Sequence, residues 1–335
     1  MKFEKSLLIK KIKALKPFMG KQSEILVHAG KMYATDMVLQ CVTPIDHDEE
    51  FVLPKKAIQL IETLPNGVID ISTKDGKVIV KSGRSISRFT TSSVENFPLV
   101  NVETAEAITT IPCDEFSALV SSVLHAAQDN PQRPVHGGVS FESDGEYLNI
   151  AACDGSRVAW QKVRFIDKVN MVVPKFALQK LLPLCTDGDV TIQSGENKAV
   201  FTVGDYEVTA PLLFGEFFNY KPLFKDIEGC IVETSTLCDI LQRANVISSL
   251  GNSKFTFSPE EIEISANEAI ADFSETMPCK NGIEDLTMGF NPRLMLESAK
   301  TFESATVKFA VSGATQPAII SSGDHKVLLM PVRLN

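Results

Sequence analysis

At 335 residues the chain exceeds the roughly 250–300 at which a single core stops growing, so two or three domains are expected. Hydrophobic residues make up 44% and charged residues 22%, and no uninterrupted apolar run reaches about 18–20 residues, which fits a soluble globular protein and excludes a membrane-spanning helix. The net charge of −9 counts against a nucleic-acid partner only as an average, because 33 Lys and Arg remain to gather on one surface.

The first predicted element is an amphipathic helix over Leu7 to Lys16. Leu8, Ile12 and Leu15 recur at i, i+4 and i+7, and Pro17 stops the run. Charges interrupt this N-terminus too often for a signal-peptide core, so a cytoplasmic location is expected. Similar helices are predicted at Phe116 to Ala127 and Leu237 to Ile247, so each third of the chain is expected to begin with a helix. Hairpins follow. Val139 to Phe141 and Tyr147 to Ala151 flank a Ser143-Asp144-Gly145 turn, and Lys254 to Phe257 and Ile262 to Ser265 flank Ser258-Pro259-Glu260.

Each third then carries an apolar strand that runs into a proline and a basic residue. The copies are Phe51-Val52-Leu53-Pro54-Lys55, Met171-Val172-Val173-Pro174-Lys175 and Met288-Gly289-Phe290-Asn291-Pro292-Arg293, with the prolines 120 and 118 residues apart. A second helix is expected after each motif, at Ala57 to Leu64 and Ala177 to Leu184 in the first two. Strands at Val68 to Ser72, Lys77 to Val80 and Ser85 to Phe89 match Val190 to Ile192, Ala199 to Val203 and Tyr206 to Thr209 in order and spacing. The fold class read from this pattern is α+β, in three repeated domains of two helices plus antiparallel strands. Their boundaries fall near Thr104 to Thr109 and Lys225 to Glu228, giving domains 1–106, 107–226 and 227–335.

The basic residues after the prolines break a local rule. The positive end of a helix dipole favours Asp or Glu, yet Lys55, Lys56, Lys175 and Arg293 stand there. Free N–H groups, a dipole end and a cation together attract an anion such as phosphate. Lys10, Lys13, Lys16 and Arg243 add cations on other predicted helices.

Catalytic signatures are missing: the chain has no Walker loop, no G-x-S-x-G and no H-E-x-x-H. His28, His47, His125, His136 and His325 lack metal-ligand spacing, the seven cysteines contain no C-x-x-C, and Asp46 to Glu50 reads as an acidic solvated turn. No enzyme, metal or cofactor is therefore expected. Asp154-Gly155-Ser156-Arg157 reads as a turn carrying a binding arginine, and Asp36 stands 118 residues before Asp154. The terminal Val327 to Asn335 is too apolar for a free tail and is expected to pack or to offer a peptide-binding surface.

The three-domain pattern, Asp154 to Ala159, Val173-Pro174-Lys175, Gly289-Phe290-Asn291 and Met330-Pro331-Val332-Arg333-Leu334 together resemble the bacterial DNA polymerase III beta subunit family, the DNA sliding clamps. The resemblance implies a head-to-tail homodimeric ring that encircles double-stranded DNA without sequence preference. It further implies a clamp loader and a DNA polymerase bearing a clamp-binding peptide as partners, with no membrane and no catalysis.

Carried onto this chain, the partner-peptide pocket comprises Gly155, Ser156, Arg157, Val158, Phe218, Leu223, Leu250, Asn291, Leu294 and Pro317, with Leu328, Leu329, Met330, Pro331, Val332, Arg333 and Leu334. The DNA-facing set is Lys10, Lys13, Lys21, Lys55, Lys56, Gln128, Arg133, Lys175, Arg243 and Arg293. The dimer interface pairs Arg88, Phe89 and Thr91 with Val246 and Ile247. The chain departs from the family pattern at Ser156, Phe218 and His136-Gly137-Gly138, and its first domain looks shortened between Met19 and Thr35. These departures leave an alternative, a clamp-like peptide-binding scaffold that does not encircle DNA.

Overall fold

The computed structural model describes all residues except 1, 22, 47–48, 102–105, 130, 166, 249–250, 281, 284 and 335, with the backbone alone at 106–108. In the first third β1 (Lys2–Glu4) leads into α1 (Lys5–Leu15), followed by β2 (Ile25–His28), β3 (Lys31–Thr35), β4 (Gln40–Pro44) and β5 (Phe51–Leu53). Then come α2 (Lys55–Thr63), β6 (Val68–Lys74), β7 (Lys77–Ser82) and β8 (Ser85–Thr90). The second third contains β9 (Glu106–Pro112), α3 (Cys113–Leu124), β10 (Gly138–Ser143), β11 (Tyr147–Cys153), β12 (Arg157–Arg164) and β13 (Asn170–Pro174). It continues with α4 (Lys175–Leu181), β14 (Asp189–Ser194), β15 (Lys198–Val203) and β16 (Tyr206–Pro211). The last third has β17 (Gly229–Glu233), α5 (Thr234–Ile247), β18 (Ser253–Phe257), β19 (Glu261–Glu268), β20 (Ala271–Pro278) and β21 (Leu286–Phe290). It ends with α6 (Pro292–Ala299), β22 (Thr306–Ala310), β23 (Ala318–Ser322) and β24 (His325–Leu329).

The order strand, helix, four strands, helix, three strands thus occurs three times. Each third opens with a strand, which corrects the expectation of an opening helix. β1 is only three residues long with two charged ends, so its own pattern is weak; pairing supplies it, with Phe3 opposite Ile69 on β6. The prolines are also placed differently from one another. Pro54 is the N-cap of α2, Pro174 ends β13 just before α4, and only Pro292 lies within its helix.

Chain contacts gather into two compact units, residues 1–117 with 176–212, and residues 118–175 with 213–335. Two units arise from three repeats because strands pair across the repeat junctions: β4 pairs β16, and β12 pairs β24. In unit 1 this makes an eight-stranded sheet ordered β5-β2-β3-β4-β16-β15-β14-β9, beside a four-stranded sheet β1-β6-β7-β8. Unit 2 has an eight-stranded sheet β13-β10-β11-β12-β24-β23-β22-β17 and a four-stranded sheet β20-β19-β18-β21. All named pairings are antiparallel.

Helical and strand periodicities bury one face of each element. On α1 the predicted stripe Leu8, Ile12 and Leu15 is buried, and Ile69, Ile71, Val78 and Val80 alternate inward on β6 and β7. In unit 2 the rings of Phe255, Phe257, Phe290 and Phe309 are fully enclosed, with Phe255–Phe290 and Phe257–Phe309 meeting edge to face at 5.2 and 5.3 Å. Each such ring contributes about 1.5–3 kcal/mol by burial. Among the described residues no helix is long and apolar enough to cross a membrane.

Candidate functional site

The Asp154 to Arg157 turn of unit 2 is built by its first residue. The Asp154 carboxylate accepts the Ser156 and Arg157 backbone N–H groups, both at 2.9 Å, and Gly155 takes φ of 88°, a left-handed conformation that glycine adopts without a Cβ penalty. Arg157 then turns inward. Its side chain is only 4% exposed, with Nε donating to Asp154 Oδ2 at 2.9 Å and Nη1 to the Leu294 carbonyl at 3.0 Å. Nη2 donates to the His125 carbonyl and to Glu297 Oε2, each at 2.7 Å. Sequence reasoning expected a binding arginine; the guanidinium instead ties the turn to the segment after α3 and to α6. A planar fork can hold two carboxylates and two carbonyls at once, which a lysine cannot.

Several residues of the expected set lie around this staple. β12 and β24 set Arg157 opposite Leu329 and Val158 opposite Leu328. Val158 and Leu328 are buried in an apolar cluster with Tyr220 and Phe224, against which Phe217 and Phe218 pack. The Val158 and Leu328 side chains are therefore not offered at the surface. Ala318, next to Pro317, pairs with Leu329. Asn291 caps α6 by accepting the Arg293 and Leu294 N–H groups at 3.0 and 3.1 Å.

The C-terminal segment is strapped across two elements. Met330 donates to the Ser156 carbonyl and Val332 to the Gly289 carbonyl, both at 2.8 Å. Exposed apolar surface remains at Leu223, Met330 and Leu334. Leu250 lies outside the described residues. His136, one of the positions at which the chain departs from the family pattern, meets the rings of Phe217 and Phe218 edge to face at 6.5 and 6.1 Å.

The cation set divides by unit. In unit 1, Lys10, Lys13, Lys21, Lys55 and Lys56 are exposed and make no ion pair among the described residues. Lys16 is engaged by Glu62. The first turns of α2, α4 and α6 contain no acidic residue, in contrast to α3 with Asp114 and Glu115.

In unit 2 most cations have partners. Lys175 holds Asp129 at 2.8 Å and the Ala127 carbonyl at 2.9 Å, and Gln128 donates to the Asp154 carbonyl at 2.7 Å. Arg243 forks onto Glu275 at 2.7 and 2.8 Å, and Arg293 reaches Glu297 at 3.2 Å, while Arg133 is exposed. The sequence could not show these carboxylates, because each except Glu297 comes from a different element than its cation. Among the described residues no cluster of three metal-ligating side chains occurs.

β8 is an edge strand, paired among the described residues only with β7, and it carries Arg88 exposed and Phe89 half-buried. Thr91 hydrogen-bonds the Val52 carbonyl. In unit 2, Val246 at the end of α5 is 78% exposed, and α5 packs on β19 and β20. β20 is itself an edge, a feature missed in the sequence. β7 and β8 carry Lys77, Lys81 and Arg88 without an acid, and β19 and β20 carry Glu261, Glu263, Glu268, Asp272 and Glu275 without a base.

Solved structures with this fold include sliding clamps. A DNA polymerase sliding clamp from Pseudomonas aeruginosa, solved with a ligand, superposes with a TM-score of 0.93 at 22% identity, covering 100% of this chain and 99% of that one. A second structure of the clamp from that organism, bound to griselimycin, gives 0.92 at 22% identity with the same coverage. The fold is that of a sliding clamp. In sequence, the beta sliding clamp of Streptomyces coelicolor is 26% identical over 296 residues, 81% of this chain and 78% of that protein. Family models described as DNA polymerase III beta subunit, central domain, and DNA polymerase III beta subunit, C-terminal domain, match residues 110–219 and 226–333, about two thirds of the chain together. The chain belongs to the DNA polymerase III beta subunit family.

Proposed function

We propose that this protein is a DNA sliding clamp, a processivity factor that encircles duplex DNA and tethers a DNA polymerase through a clamp-binding peptide. Family membership over the central and C-terminal thirds carries the reading. In it the chain forms three clamp domains, 1–106, 107–226 and 227–335, acts without catalysis in the cytoplasm, and is placed on DNA by a clamp loader.

The ring is a head-to-tail homodimer in which β8 of one copy meets β20 and Val246-Ile247 of the other. Two unpaired edges of opposite charge support a heterologous contact, because each hides the other's free N–H and C=O groups. Lys10, Lys13, Lys21, Lys55, Lys56, Gln128, Arg133, Lys175, Arg243 and Arg293 face the phosphates. Neutralising phosphates with the lysines and arginines of this set releases counterions from the DNA, which gives affinity without sequence preference. The groove around Gly155, Ser156, Phe218, Leu223, Leu250, Asn291, Leu294, Pro317 and the terminal segment receives the peptide, over a floor held by Arg157.

Retention on DNA tests the reading. With a loader and ATP the protein is expected to stay on nicked circular DNA and to leave when the circle is linearised. Equal retention on both forms overturns encirclement.

A further inference from the structure

We propose that Gly289 is a positioning residue for the peptide groove: having no side chain, it lets the C-terminal strap Met330 to Leu334 lie on β21 as a wall of that groove. The proposal rests on the groove reading above. Gly289 sits in a strand interior between fully enclosed Met288 and Phe290, opposite Lys254 on β18. Glycine weakens a strand there, so its presence marks a close approach by another piece of backbone. That piece is the strap. A Cβ built on Gly289 would stand 2.5 Å from the Val332 carbonyl oxygen, and 2.8 and 3.0 Å from Cδ2 and Cγ of Leu334. Rotating Leu334 relieves only part of this, since the nearest atom is backbone and moves only if the strap moves.

Among the described residues two backbone hydrogen bonds tie the strap to its neighbours. It leaves β24 at Leu329 and is fixed by the Met330 N–H on Ser156 and the Val332 N–H on Gly289. Those two anchors belong to the turn and the strand that flank the groove, so the strap sets the distance between its exposed Met330 and Leu334 and the Ser156 turn. Gly289→Ala adds one methyl group on β21 and releases the second anchor. Val332→Pro releases the same anchor from the other side by removing its N–H, without touching β21.

Two measurements on the full-length protein test this. In the first, griselimycin is titrated against the wild type and both variants. Each variant is expected to bind about tenfold more weakly, about 1.4 kcal/mol, while the thermal midpoint and the Trp160 emission stay at wild-type values. In the second, hydrogen exchange is followed in the terminal peptide, and the amide of residue 332 in Gly289→Ala is expected to lose protection while β18 and β21 keep theirs. A merely structural role would lower the midpoint and loosen β18 as well. Wild-type affinity in both variants, or a protected strap in Gly289→Ala, overturns the proposal. A wild type that fails to bind griselimycin counts against the groove reading itself, and the exchange measurement then decides separately whether Gly289 holds the strap.

Discussion

The turn at Asp36 in unit 1 and the turn at Asp154 in unit 2 stand 118 residues apart and start from one plan. In both, one carboxylate oxygen accepts two backbone N–H groups, from Val38 and Leu39 at 3.0 and 2.7 Å and from Ser156 and Arg157 at 2.9 Å. The second oxygen takes a cation in both. In unit 1 it is Lys180, brought by α4 and bound at 2.8 Å, and beyond that carboxylate its ammonium meets the Phe18 ring, 5.8 Å from the centroid. In unit 2 it is Arg157, from the turn itself, and the guanidinium continues to His125, Leu294 and Glu297. One turn is closed by a salt bridge; the other is the centre of a network. The exposed tips differ accordingly, with Met37 and Val38 on the first and Gly155 and Ser156 on the second.

Removing the cation separates the two most strongly. Arg157→Ala leaves Asp154 without its cation, takes one of two cations from Glu297, which Arg293 still reaches, and removes a donor from the His125 and Leu294 carbonyls, so unit 2 is expected to lose about 3–5 kcal/mol. Urea unfolding followed by Trp160 emission measures this, since the only tryptophan lies on β12 against Tyr220 and Phe224. Arg157→Lys is expected to recover little of it, because one ammonium cannot reach four acceptors on three segments.

Acid provides the next largest contrast. Burial, then the nearby charges of Arg157, His325 and Lys175, push His125 down to about 3, and burial pushes His325 down to about 4. Both rings are packed, His125 Nε2 at 3.2 Å from Ser298 Oγ and His325 stacked 4.2 Å from Phe302. The unfolded chain takes up protons near pH 6.5 while these folded rings stay neutral. The stability they favour is therefore present above 6.5 and falls as pH drops toward the folded values. Between pH 7 and pH 5 unit 2 is expected to lose about 3 kcal/mol, read as an earlier urea midpoint of Trp160 emission. An unchanged midpoint over that window would refute the assignment.

The repeat, the helix faces and most strands were legible because periodicity is local: Leu8, Ile12 and Leu15 declare their buried face within two turns of helix. The opening strands were not. β1 and β17 acquire their identity from partners far along the chain, β6 and β22. The turns were visible as Asp-initiated motifs, but the fate of Arg157 was not, since three of its four acceptors lie at least 32 residues away. For the same reason a lysine such as Lys175 looked free in sequence and is bound to Asp129 in the fold.

The smallest expected effect lies at Lys180, and it discriminates most sharply between the two designs. Burial raises the Asp36 carboxyl, but the Leu39 N–H, the Lys180 ammonium and the Val38 N–H outweigh it, and the net shift is downward. Stability from such a group is present above the unfolded value, near 3.9, and is lost only as pH falls below it, so this turn should be silent over the window in which unit 2 weakens. Lys180→Met removes one partly exposed ion pair, at a cost of about 0.5–1 kcal/mol. The two N–H bonds to Asp36 remain, so the Val38 and Leu39 amides are expected to stay protected from exchange. In Arg157→Ala the Ser156 amide should lose protection, because that turn is held from outside as well as by its aspartate. If Lys180→Met exposed the Val38 amide to the same extent, the unit 1 turn would also depend on its cation, and the distinction between a closed turn and a network would fail.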